Sequence, residues 1–197
     1  MNVRVAPRST RAAEGLPRRR FTVAEVEAMV AAGVMDEDER VELIGGEFVP
    51  MSPKGSRHEV LKIALNEFWS LRRPNSCRIA QETTFRLSLD TYLEPDFVVY
   101  DRATGLTGIK GDNVLLVVEV ADSSRRYDLG RKAKLYASFG VRELWVIDAV
   151  KMFTRQFRGP TEKVFAETRD FALAEELTPA FAPGEFALRL EGLDLDS

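Results

Sequence analysis

Val114-Leu115-Leu116-Val117-Val118-Glu119-Val120 is a nearly unbroken apolar run of β-branched residues and leucines. Such a run predicts a strand covered on both faces, the central strand of an α/β sheet. Glu119 lies near its end, where a carboxylate is costly to bury unless it is paired, protonated or bound to a cation. Two readings fit: a carboxylate at an exposed strand tip or in a structural ion pair, or one placed for chemistry. A second acid bears on the choice. Glu94-Pro95-Asp96-Phe97-Val98-Val99-Tyr100 predicts another short apolar strand. Pro95 cannot donate to a sheet ladder and so marks where that strand begins, with Asp96 beside it. If the two strands are neighbours, Asp96 and Glu119 converge at one edge of the sheet. Two convergent carboxylates make a hard, oxygen-rich site suited to Mg²⁺ or Mn²⁺.

Outward from these strands, the pattern predicts alternating helices and strands. Thr22-Val23-Ala24-Glu25 is a capping box that opens a short helix ending near Gly33. Arg40–Ile44 and Glu47–Met51 flank Gly45-Gly46, a hairpin signal. Ser56-Arg57-His58-Glu59 has the form of a second capping box, opening a helix to about Arg72. Val60, Ile63, Ala64, Phe68 and Leu71 give that helix an apolar face. Strands are predicted at Cys77–Gln81, Thr84–Leu89 and Phe97–Tyr100. Beyond the central strand come a polar loop to Tyr127 and a helix from Asp128 to Phe139. A strand follows at Glu143–Asp148, with weaker ones near Met152–Phe157 and Val164–Glu167. Leu173 to Leu193 reads as an extended segment packed on the core. The predicted architecture is a central mixed sheet flanked by the Ser56–Arg72 and Asp128–Phe139 helices, with Asp96 and Glu119 on adjacent strands.

Composition narrows the function classes. The 197 residues suffice for one domain with a real core, and no apolar run is long enough to span a membrane. With one cysteine, Cys77, and one histidine, no intrachain disulfide or Cys/His zinc site can form within the chain, and a reducing cytoplasm fits. The net charge of −3 argues against simple coating of nucleic acid. Residues 1–20 hold six arginines (Arg4, Arg8, Arg11, Arg18, Arg19, Arg20) against Glu14 alone. They read as a disordered tail able to touch phosphates, although an Arg-rich, acid-poor stretch also resembles a transit peptide. Residues 21–197 read as a single domain. Gly108–Asn113 lacks the glycine-lysine-hydroxyl spacing of a phosphate loop, and no G-x-S-x-G occurs.

Three stretches carry a resemblance: EPDFVVYD, LLVVEVADSSRRYDLGRKAKLY and GVRELWVID. In that order they resemble the Uma-two family of putative restriction endonucleases, in the PD-(D/E)XK nuclease superfamily. RVELIGGEFVPMSP with His58 after it is similar to the family's front end. The resemblance covers about Phe21 to Asp148. It implies a restriction-endonuclease-like α/β core and a Mg²⁺-dependent (or Mn²⁺-dependent) endonuclease acting on nucleic acid, DNA being favoured. Asp96 and Glu119, helped by the Val120 carbonyl, would hold the metal. The superfamily's usual lysine two residues after the acid is here Ala121. Lys132, which shares a helix face with Asp128 and Tyr136, is the substitute the family pattern implies.

Several residues keep two readings. His58 is either a phosphate contact or proton carrier, or a solvent-facing residue in a helix cap. Glu42 is either an additional acid of the metal site or part of a solvated strand face. Arg125 and Arg126 either grip phosphates or are merely solvated. Tyr136 reads as packing and Asp148 as a turn cap. Cutting duplex DNA needs two sites for two strands, so a homodimer is expected. The alternative to an enzyme is a nuclease-fold module with a decayed site that binds DNA or protein, which Ala121 and the acidic balance favour.

Overall fold

The first helix begins where the chain satisfies its own amides. The Thr22 side chain accepts from the Glu25 N–H, and the Glu25 carboxylate accepts from the Thr22 N–H at 2.9 Å. That is the capping box read from the sequence. The computed structural model describes residues 15–195, so most of the Arg-rich tail, residues 1–14, lies outside the described residues. In chain order the elements are α1 (Val23–Ala31), β1 (Val41–Ile44), β2 (Glu47–Pro50), α2 (Ser56–Arg72), β3 (Cys77–Gln81), β4 (Phe85–Ser88), β5 (Thr91–Leu93) and β6 (Phe97–Asp101). Then follow β7 (Leu116–Ala121), α3 (Arg125–Tyr127), a π turn (Asp128–Lys132), α4 (Ala133–Ser138), β8 (Glu143–Asp148), β9 (Phe153–Pro160) and β10 (Phe165–Phe171).

The chain divides into two compact units. Among the described residues, one comprises 15–52 and Thr84–Glu94. Its antiparallel sheet has the order β2-β1-β5-β4. Gly45 and Gly46 turn the β1–β2 hairpin at φ 58° and 80°, the left-handed pair that a two-residue hairpin turn requires. Val23, Val26, Met35, Val41, Leu43 and Tyr92 form its apolar cluster. The strand β5 is absent from the sequence reading, because three residues are too few to display alternation. Of the tail arginines, Arg18, Arg19 and Arg20 are each paired with an acid: Glu47, Glu25 and Asp90.

The other unit comprises Pro53–Thr83 and Pro95–Ser197. It holds a six-stranded mixed sheet of order β10-β9-β8-β7-β6-β3. Only β7 and β8 run parallel, and the helical stretch from Arg125 to Ser138 makes the crossover between them. Side chains alternate across the sheet. Phe97, Val99, Leu116, Val118, Val120, Trp145 and Ile147 face α2 and the C-terminal segment in one apolar cluster. The opposite parity, which includes Glu119, faces the crossover. The predicted extended C-terminal segment lies on the core: Leu177 bridges Leu188, and Phe186 is fully buried. Glu143, wholly buried at the start of β8, ties it down by accepting from the Ala180 N–H at 2.7 Å. The same carboxylate also takes Trp145 Nε1, Gln156 Nε2 and Arg158.

Two expectations about α2 need correction. Its buried face is His58, Leu61, Ala64, Leu65 and Trp69, whereas Ile63 is 51% and Leu71 86% exposed. Two stripes compete on this helix, and the one carrying Trp69 wins. Trp69 meets Phe97 edge to face at 5.3 Å and donates Nε1–H to the Phe186 carbonyl at 3.2 Å. Nor does Ser56 cap the helix. Gly55 is the N-cap and Ser56 the first helical residue, so Glu59 falls one position too late to close a box. A Cβ on Gly55 would lie 2.3 Å from Asp122 Oδ2, so the loop after β7 packs against this glycine.

The two α2 faces separate cleanly in equilibrium urea unfolding. Trp69→Ala is expected to cost about 3–5 kcal/mol through the cavity it leaves. Leu71→Ala is expected to stay within about 0.5 kcal/mol of the parent. Equal losses at both positions would contradict this packing.

Candidate active site

The site is built on the ends of β6 and β7. These strands are antiparallel, with Phe97 opposite Val118 and Val98 opposite Val117. Asp96 directly precedes β6, and Glu119 follows the Phe97–Val118 pair in β7, so the two acids lie near the same end of this strand pair. Both residues are 4% exposed. Asp96 is fixed by its own strand neighbour: Oδ2 accepts from the Val120 N–H at 2.7 Å.

Each buried carboxylate has a cationic or protic partner. Lys132 Nζ lies 2.9 Å from Glu119 Oε1, and the Tyr136 hydroxyl donates to the same oxygen at 2.5 Å. Both partners come from the crossover. Its π turn lets the Ala133 N–H reach the Asp128 carbonyl five residues back, one residue more than an α turn holds. Asp128, Lys132 and Tyr136 are all buried, and Ser124 Oγ donates to Asp128 at 2.5 Å. Tyr136 packs in the core, as read from sequence, but its hydroxyl is also a partner of the acid, which that reading did not include. Ala121, two residues beyond Glu119, is fully buried and pairs across to Asp148.

On the Asp96 side, His58 Nε2 lies 3.0 Å from Asp96 Oδ1, and His58 Nδ1 lies 3.0 Å from Glu59 Oε1. The ring is buried, so the solvent-facing reading of His58 does not hold. Burial pulls the imidazole pKa down, but the hydrogen bond to Asp96, its charge and Glu59 together outweigh that, and the net shift is upward. Lys54 Nζ lies 3.9 Å from Asp96 Oδ1 and contacts Glu82, which Lys62 also contacts. Lys54, Lys62 and Glu82 escape a sequence reading because no spacing links a loop residue, a helix residue and a strand end.

Glu42 belongs to the other unit, where it is 2% exposed in β1 and accepts from the Glu94 N–H at 3.1 Å. Its solvated-face reading therefore fails. Asp148 caps its turn through the Val150 and Lys151 N–H groups, as expected. It also lies 2.6 Å from Arg125 Nε, too poorly aligned for a hydrogen bond, so Arg125 is an ion-pair partner rather than merely solvated.

Residues 23–191 match the Uma2 family, described as "putative restriction endonuclease". The chain belongs to that family. Among solved structures it is similar to a putative nuclease belonging to DUF820 from Anabaena variabilis. Identity is 17% and the TM-score 0.63, over 87% of this chain and 96% of that one. At that identity the likeness shows the fold alone, a restriction-endonuclease-like mixed α/β core. The type IIG restriction endonuclease BpuSI matches at TM-score 0.36 and 18% identity, over 60% of this chain and 14% of that one. No curated protein matches the chain. Membership in Uma2 supports a nuclease function. No helix among the described residues is long and apolar enough to cross a membrane.

The donors of this Uma2 chain suit a hard divalent cation. Mg²⁺ is typically held by one or two carboxylates, with waters and substrate phosphate completing its shell. Asp96 and Glu119 are the two buried carboxylates near this end of the strand pair. Among the described residues no group of three or more His, Cys, Asp and Glu is placed to hold a metal unaided. An ion here would therefore depend on water and substrate for most of its ligands.

His58 is the chain's single histidine, so its ring protons titrate without overlap in NMR spectra. The midpoint is expected above 6.5, the value for an unperturbed ring. Asp96→Asn should bring it down. Because the folded pKa is raised, this pairing stabilises the fold fully below 6.5 and less as pH rises through the folded value. A midpoint below 6.5 in the parent would contradict the Asp96 contact.

Proposed function

We propose that this chain is a metal-dependent endonuclease hydrolysing phosphodiester bonds of nucleic acid, with DNA the favoured substrate and Mg²⁺ or Mn²⁺ the cofactor. The observation that carries the reading is the Lys132–Glu119 contact. It supplies, from the crossover helix, the cation that Ala121 cannot supply from the strand. Asp96, Glu119 and the Val120 carbonyl would hold the ion. When bound, such an ion lowers the pKa of a coordinated water and offsets charge growing on the phosphate. Asp96 is aligned for its part by the Val120 N–H. Lys132 donates toward developing negative charge, and Tyr136 shares in holding the Glu119 carboxylate. His58, held between Asp96 and Glu59, is placed to pass a proton or contact phosphate. A homodimer would supply two sites for two strands, and light scattering at working concentration reads that state. A reducing cytoplasm suits the single buried thiol, Cys77.

A second reading, a non-catalytic nuclease fold that binds DNA or protein, draws on Ala121 and the net charge of −3. Metal-dependent cleavage assays on duplex DNA, single-stranded DNA and RNA separate the two. The parent should cleave at least one with Mg²⁺ or Mn²⁺, and Asp96→Ala should abolish it. Lys132→Ala should slow single-turnover cleavage by about 10²–10³, the typical loss of one contact to developing charge, with metal binding by calorimetry largely kept. Lys134→Ala, an exposed neighbour, should match the parent. Absence of cleavage under all conditions would favour the second reading.

A further inference from the structure

A compact charged cluster adjoins the Asp96 carboxylate through Lys54 and His58. Lys54 comes from the loop before α2, His58, Glu59 and Lys62 from its first two turns, and Glu82 from the residue after β3. The Lys54 and Lys62 side chains are only 16% and 13% exposed, yet both reach the Glu82 carboxylate. Lys62 also contacts Glu59 Oε2 at 2.9 Å. Glu82 adopts φ 48°, a left-handed conformation that a side chain longer than glycine seldom takes. Its N–H there reaches the Pro95 and Asp96 carbonyls at 3.1 and 3.3 Å. The strained backbone therefore sets the Glu82 carboxylate beside the chain segment that carries Asp96.

We propose that Lys54, oriented by Glu82, is a phosphate-contacting residue of the nuclease, so that each acid has its own lysine: Lys54 at Asp96 and Lys132 at Glu119. The inference rests on the nuclease reading above and adds a substrate contact to it. Lys54 Nζ lies 3.9 Å from Asp96 Oδ1 against 2.9 Å for Lys132 and Glu119, so the Asp96 contact is the looser one. A looser lysine is the one that can move onto a phosphate oxygen without stripping the acid of its closer partners, the Val120 N–H at 2.7 Å and His58 at 3.0 Å. Glu82 is then a positioning residue. The two lysines outweigh its burial and hold its carboxyl down to about 2, so it stays charged wherever a nuclease would work. It gives Lys54 a fixed resting place until phosphate arrives.

The test pairs binding with turnover. Anisotropy of a fluorescein-labelled DNA duplex is read across NaCl concentrations in Ca²⁺, and single-turnover cleavage in Mg²⁺. Lys54→Met keeps the packed methylenes and removes only the charge. It should lower the slope of log K against log salt by about 0.9, the share of one phosphate contact. It should also slow cleavage by about 10²-fold. Lys54→Arg should restore the slope. Glu82→Gln removes a competing anion but also the guide, so it should bind more tightly and cleave more slowly, a pair of opposite changes that a fold defect does not produce. Lys151→Ala, exposed and remote in sequence from the cluster, is the control. If the parent cleaves, Asp96→Ala does not, and Lys54→Met matches Lys151→Ala in slope and rate, this inference alone is overturned. If Glu82→Gln changes neither affinity nor rate, the positioning role is overturned. If the parent neither binds nor cleaves, the nuclease reading fails and takes this one with it.

Discussion

Two buried carboxylates near one end of the β6–β7 strand pair constrain everything around them. Asp96 and Glu119 are each 4% exposed, so folding must place negative charge where water cannot screen it. The rest of the unit supplies the compensation. The Val120 amide and His58 serve Asp96, and Lys132 and the Tyr136 hydroxyl serve Glu119. No strand could deliver those last two groups, because the strand position next in line is Ala121. The parallel step from β7 to β8 needs a crossover, and that crossover passes the acid closely enough to do it.

Much of this was legible from the sequence because it depends on local periodicity. The apolar runs Val114–Val120 and Leu144–Ile147 marked β7 and β8. Pro95 marked the start of β6, and Gly45-Gly46 placed the hairpin. The spacing of Asp128, Lys132 and Tyr136 put three residues on one helix face, although Tyr136 read only as packing. What escaped was decided by tertiary contact. The face of α2 turned on whether Trp69 or Leu71 found partners, and only the folded sheet offers Phe97 to Trp69. The Ser56 capping box failed because the helix takes Gly55 as its N-cap, which leaves Glu59 one position too late. Lys54 and Glu82 drew no reading from the sequence, since their partners are spread over separate elements.

Glu143 shows the same limit from the other side. A glutamate opening an apolar strand reads as a boundary residue, yet it is fully buried and ties four groups together, among them the backbone of the C-terminal segment. That segment in turn covers Trp69 through Phe186. The sheet face that carries Phe97, Val118 and Val120 is thus closed in part by residues late in the chain.

The π turn has a bearing on how relatives of this chain are to be compared. It stores one residue more than an α turn over the same rise, and it does so between Glu119 and Tyr136. Loss of a single residue there could be absorbed by relaxing to an ordinary α-helix, leaving α4 and Tyr136 in phase with β7. A gain would have no such outlet and would rotate the lysine by about 100° away from the acid. Counting forward from the strand glutamate and counting back from the tyrosine can therefore disagree by one position in a homologue. An alignment that forbids a gap within these five residues would then assign the lysine's role to its neighbour.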